Sequence, residues 1–229
     1  MEKLQAAIEI ARKKREAERG TPPASSAQAA ETASRPADAG LPVIEAPSDA
    51  AGRWQALMPT DLDRSLLVRS RILSQSASQE STPFDVLRTK ILYQMRQNSW
   101  RRLAITSPLP KCGKTTTAVN LGLGLGRQPE LRSILFDFDL RAPSVADKLG
   151  LDRPPSIAPL LRGERSFADH AQRIGSNLAL GLSGQAETDP TRLLMADTTR
   201  NTLARIQADY EPDVMIFDLP SILIGDDAR

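Results

Sequence analysis

The run Leu103-Ala104-Ile105-Thr106-Ser107-Pro108-Leu109-Pro110-Lys111-Cys112-Gly113-Lys114-Thr115-Thr116 constrains this chain more than any other. A short apolar strand breaks into a turn rich in proline and glycine, then opens a helix from Thr116 to about Gly126. Such a junction aims successive backbone N–H groups and a helix N-terminus at one point, a cradle suited to phosphate. Gly113-Lys114-Thr115 adds a lysine for the β- and γ-phosphates and a hydroxyl for Mg2+. Alone these three residues are weak evidence, because Pro108 stands where the full pattern has its first glycine.

Three more apolar runs follow: Ser133 to Phe136, Leu178 to Leu182 and Val214 to Phe217. Each is short, bounded by polar or turn residues and separated from the next by helical patterns. That rhythm predicts an α/β fold with a doubly wound, mainly parallel sheet, and the phosphate loop marks it as the P-loop NTPase type. A helix from Thr82 leads in, with Pro83 in its first turn and Phe84, Leu87, Ile91 and Met95 at helical spacing. Two of the strands end in acids, Asp137 with Asp139 after the second and Asp218 after the fourth. Ligands of an open parallel sheet bind beyond the carboxyl ends of its strands. Three carboxylates are therefore expected beside the phosphate loop, where hard Mg2+ needs oxygen ligands. A single acid in such a place commonly caps a helix, but the ordered set of three is much harder to explain that way.

Composition bounds the rest. The 229 residues hold one cysteine and one histidine, which excludes a disulfide framework and argues against a His/Cys metal site. No run of 18 apolar residues occurs and the first residues carry no apolar leader, so the reading is a cytoplasmic protein. Residues 1–20 read as a charged helix whose six bases and four acids hold the entire net charge of +2. The remainder balances, so no nucleic-acid partner is expected. Residues 21–80 read as a disordered or loosely ordered linker and lead-in: positions 21–52 contain ten Ala, five Pro and four Ser. Trp54, Leu57, Leu66, Leu67 and Val68 are its candidate anchors. Residues 81–229 form the predicted P-loop domain.

From Thr82 onward the chain resembles the kinase domain of bacterial tyrosine kinases, the exopolysaccharide-linked branch of the MinD/ParA-like ATPases. The resemblance rests on Leu87-Arg88-Thr89, on the phosphate loop with Thr116, and on Asn120-Leu121. It continues with Asp137-Phe138-Asp139-Leu140-Arg141-Ala142-Pro143, Asp189-Pro190-Thr191-Arg192-Leu193-Leu194, Asp213 to Pro220 and Asp226-Asp227. It implies ATP- and Mg2+-dependent transfer of the γ-phosphate to tyrosine. Lys111, Cys112, Gly113, Lys114, Thr115, Thr116 and Arg141 would hold nucleotide, and Thr115, Asp137 and Asp218 would organise the metal. Lys114, Asp137 and Asp139 would be catalytic, one of the two acids orienting or deprotonating the phenol. The resemblance also implies a membrane chain-length or export partner of a polysaccharide system, self-association, and a place at the inner face of the membrane. Residues 2–19 are the candidate for a peripheral membrane contact.

Several departures sharpen the expectations. Lys111 replaces a family glycine, so a lysine is predicted where the backbone calls for a positive φ. Leu109 occupies the place of the MinD/ParA signature lysine. The family's oligomerisation motif is reduced to Thr82, Asp85 and Arg88 at the matching positions. No C-terminal tyrosine cluster follows: Tyr93 and Tyr210 are the two tyrosines, both in predicted secondary structure. With four strands counted before Arg229, the sheet reads as cut short at its C-terminal end. Two alternatives stand beside the kinase: a MinD/ParA-like ATPase switch without tyrosine kinase activity, and a non-catalytic nucleotide-binding regulator of polysaccharide export.

Overall fold

A computed structural model describes residues 50–223. The charged helix expected at residues 2–19, the tether up to residue 49 and the Asp226-Asp227 pair lie outside the described residues. In chain order the elements are α1 (Ala50–Ala56), β1 (Met58–Pro59), α2 (Arg64–Arg69), α3 (Thr82–Gln97), β2 (Arg102–Ile105), α4 (Lys114–Gly126), β3 (Ser133–Asp137) and α5 (Val145–Leu149). They continue with α6 (Ala158–Leu161), α7 (Phe167–His170), β4 (Gln172–Ile174), β5 (Leu178–Gly181), α8 (Pro190–Met195), α9 (Asp197–Tyr210) and β6 (Val214–Asp218).

Six strands form one sheet in the order β1-β4-β5-β3-β6-β2. The pairs β2 with β6, β6 with β3, and β3 with β5 are parallel, while β4 runs antiparallel to β5. The four predicted strands are β2, β3, β5 and β6. The two others are marginal in sequence: β1 is two residues long, and β4 is the half-buried Gln172-Arg173-Ile174. Neither offers the apolar run that marks a central parallel strand.

The pleat sorts side chains onto two faces. Ile134, Phe136, Met215 and Phe217 enter one core with Trp54, Leu57, Phe167 and Tyr210. Leu135, Val214 and Ile216 enter the other with Leu67, Ile72 and the apolar residues of α4. Phe136 stacks on Phe217 across adjacent strands at 5.3 Å between ring centroids. The sheet is therefore covered on both faces, the doubly wound arrangement.

The lead-in is where the structure departs from the expectation of loose order. Residues 50–80 pack on the domain as part of it. Trp54, Leu57 and Leu67 are buried, Leu66 is half-buried, and Val68 is exposed. The Trp54 indole N–H donates to the Tyr210 carbonyl at 2.8 Å. The lead-in joins the sheet at β1, beside β4, and reaches both cores. A few large anchors, each entering a face built by other residues, suffice to order a stretch of modest mean hydropathy. Composition alone does not register them, because the surface they bury belongs to distant residues.

Candidate nucleotide site

The helix α4 begins two residues earlier than its apolar pattern suggests, which places Lys114 and Thr115 in its first turn. Gly113 caps it at φ 87°, and Lys111 stands at φ 60°, the conformation expected from the glycine it replaces. The loop is braced from behind. Thr106 Oγ1 donates to the Pro220 carbonyl at 2.6 Å, Ser107 Oγ to the Leu109 carbonyl at 2.7 Å, and the Ile222 N–H to the Ser107 carbonyl at 2.9 Å. The segment after β6 thus holds the loop in place.

Register brings the acids together. Asp137 pairs with Asp218 across β3 and β6, and Asp218 pairs with Ile105 across β6 and β2. Both carboxylates are fully buried. Asp137 Oδ2 accepts the N–H groups of Ser144 and Val145 at 2.8 and 2.9 Å, which fixes the start of α5 against the strand end. Asp137 Oδ1 and both oxygens of Asp218 have no hydrogen-bond partner among the described residues. Burial pushes Asp137 up to about 7, with Asp218 and Asp139 adding to the rise against the two amides. Burial likewise raises Asp218 to about 6, while the neighbouring Thr115 hydroxyl and Lys114 ammonium pull the other way.

Orphaned, buried carboxylate oxygens beside a hydroxyl fit a divalent cation, which would supply the missing partners. Among the described residues no group of three or more His, Cys, Asp or Glu side chains could hold a metal. Two carboxylates and Thr115 therefore suit Mg2+, which keeps water and phosphate oxygens in its shell, rather than an all-protein metal cage.

In front of these acids lies a cavity of about 600 Å³. Lys111, Gly113, Lys114, Thr115, Thr116, Asp139 and Arg141 all line it. Lys114 Nζ lies 2.6 Å from Asp139 Oδ2. Arg141 also reaches Thr191 Oγ1 at 3.4 Å. Cys112 is the expected loop residue that does not line the cavity; its exposed thiol turns toward the Pro110 carbonyl at 3.7 Å. Two lining residues escaped the sequence reading, Ser144 and Lys148. Their four-residue separation beyond Arg141, at the start of a helix, was the signal available.

Other singled-out residues prove structural. Asn120 Oδ1 accepts the N–H groups of Leu73 and Ser74, and its Nδ2 donates to the Arg71 and Thr116 carbonyls. It therefore staples the lead-in to the phosphate-loop helix. Asp189 caps α8 through the Arg192 N–H at 3.2 Å. The remnant of the oligomerisation motif turns inward: Asp85 binds Arg88 and Arg127, and Arg88 donates to the Gly124 carbonyl at 2.8 Å.

No protein-family model matches the chain. Tyrosine-protein kinase YwqD of Bacillus subtilis strain 168 is 28% identical over 158 residues, 69% of this chain and 65% of the relative's length. The crystal structure of the VpsO kinase domain superposes with a TM-score of 0.55 at 26% identity, covering 64% of this chain and 72% of that one. The chain is a relative of the bacterial tyrosine kinases. It spans somewhat less than two thirds of the length of YwqD. The chimerical protein CapA2B2 shares the fold of this kinase relative, with a TM-score of 0.62 at 21% identity over 75% of the chain.

Proposed function

We propose that the protein is an ATP- and Mg2+-dependent protein-tyrosine kinase that serves exopolysaccharide synthesis or export. The convergence of Asp137, Asp139 and Asp218 on one phosphate loop carries this reading. The loop amides, Lys114 and Thr116 hold the phosphates, and Arg141 steadies charge at the cavity wall. Thr115, Asp137 and Asp218 would hold Mg2+, which would supply positive charge to offset that of the transferring phosphoryl group. Asp139 faces the cavity, whereas Asp137 lies behind it, which supports Asp139 over Asp137 as the acceptor of the phenolic proton. The tyrosine oxygen then forms the new bond to the γ-phosphorus as the bond to the ADP oxygen breaks. Positioning and electrostatics account for most of such a transfer.

The partner class in this reading is a membrane chain-length or export protein. No helix among the described residues is long and apolar enough to cross a membrane. Incubation with γ-labelled ATP and Mg2+ tests the proposal. Label on tyrosine, lost in Lys114→Ala, is the expected result. Phosphate release without labelled tyrosine would favour an ATPase switch, a reading that draws support from the inward-facing Arg88 and the buried Tyr210.

A further inference from the structure

Lys148 is a cation with an unexplained address. It lines the cavity opposite the first turn of α4, yet its side chain has no ion-pair or hydrogen-bond partner among the described residues. Its helix is held at both ends. At the start, the Ser144 and Val145 amides bind Asp137. At the finish, Gly150 turns at φ 68° so close to α2 that a Cβ there would lie 2.6 Å from Leu66 Cδ1. Val145, Ala146 and Leu149 bury the opposite side of the same helix. Ser144 and Lys148, four residues apart, are thereby fixed on the side facing the phosphate loop. The walls meet where Ser144 Oγ approaches Thr115 Oγ1 at 3.4 Å.

Charge gives that position a purpose. Asp139 is the one carboxylate in the cavity lining, and it is already matched with Lys114. A nucleoside polyphosphate entering this space brings several negative charges to a site where Lys114 is engaged by Asp139, leaving Lys111, Arg141 and Lys148 as the other cations of the lining. We propose that Lys148 is a phosphate-binding residue of the nucleotide site, the cation on the wall opposite Lys114. A lysine held on a rigid element costs little ordering when it meets its ligand, whereas a solvated lysine on a free loop costs more.

This inference rests on the nucleotide reading above, and the test separates the two. Binding of Mg2+ with a non-hydrolysable ATP analogue, and with ADP, is measured by calorimetry for the wild type, Lys148→Ala, Lys148→Gln and Lys148→Arg. The expected result is a roughly tenfold loss for the triphosphate in Ala and Gln, a smaller loss for the diphosphate, and near-complete rescue in Arg. The salt dependence of binding should also weaken when the charge is removed. Thermal midpoints should stay close to the wild type, because no partner among the described residues is lost. Affinity within twofold of the wild type in folded Ala and Gln variants would overturn the assignment of Lys148 while leaving the nucleotide reading intact. A wild type that binds neither nucleotide would overturn both.

Discussion

Lys114 and Asp139 form one ion pair at 2.6 Å, and their side chains are only 10% and 11% exposed. The phosphate-loop lysine and the second acid of the Asp-x-Asp motif therefore answer to each other in the cavity lining. Asp139→Asn should free the ammonium and remove a negative charge from the phosphate site. Nucleotide affinity is expected to rise by about 3- to 10-fold, since an opposing charge is lost near the ligand. Phosphoryl transfer should fall by about 10²-fold, the low end of what a positioned proton acceptor contributes. Calorimetry and single-turnover labelling measure the two effects separately. Tighter binding with unchanged transfer would reduce Asp139 to a counter-ion.

Asp218 gives a prediction about pH. Its carboxyl is pushed from 3.8 up to about 6 by burial, and that of Asp137 up to about 7. Acids with raised folded pKa values hold protons more tightly in the native state than in the unfolded chain. Their contribution to stability is fully present below the unfolded value and is lost as pH rises through 6 to 7. Asp218→Asn removes the buried charge at neutral pH. One pKa unit is worth about 1.4 kcal/mol, so the variant should be more stable by about 2 kcal/mol near pH 8 and gain nothing near pH 4. Chemical denaturation at the two pH values checks this. Mg2+ should stabilise the wild type and leave the variant unmoved; equal stabilisation of both would remove Asp218 from the metal site.

Lys111 tests the loop's backbone. A lysine at φ 60° carries a conformational cost that glycine would avoid. Lys111→Ala keeps that cost and loses the charge, whereas Lys111→Gly loses both. The glycine variant should be more stable than the alanine variant by about 1 kcal/mol. Both should weaken nucleotide binding by a similar few-fold factor, because the charge is absent from each. Melting curves and binding isotherms of the pair, compared directly, separate strain from electrostatics. An alanine variant as stable as the glycine variant would show that the loop relaxes around this position.

The central strands and the phosphate loop are legible in the sequence because their signals are local. Ser133 to Phe136 and Val214 to Phe217 are buried on both faces, so each reads as an unbroken apolar run. Asp137 and Asp218 stand out because an acid directly follows such a run. Trp54 and Leu67 are harder to read, since their burial depends on surfaces supplied by Tyr210 and by α4, far away in sequence. Lys148 is harder still. Nothing in its local spacing separates it from a solvated lysine until Ser144 is seen bonded to Asp137 and α5 is known to face the cavity.

Tyr93 and Tyr210 are the two tyrosines of the chain, and the structure gives them opposite fates. Tyr210 is 6% exposed, packed edge-on against Phe167 at 4.9 Å and against Trp54 at 6.2 Å. Reaching its hydroxyl would require unpacking that aromatic core, and burial also raises the hydroxyl's pKa. Tyr93 is 61% exposed on α3, with Lys90 three residues before it and Arg96 three residues after it, on neighbouring positions of the helix surface. A phosphate added there would find countercharge within one helical turn on either side. If the protein labels itself with γ-labelled ATP, mass spectrometry should place the phosphate on Tyr93, and Tyr93→Phe should abolish it. Tyr210→Phe should leave labelling intact. Phosphate on Tyr210 instead would mean that the packing of Trp54 and Phe167 opens on the timescale of the reaction, a much looser lead-in than this structure contains.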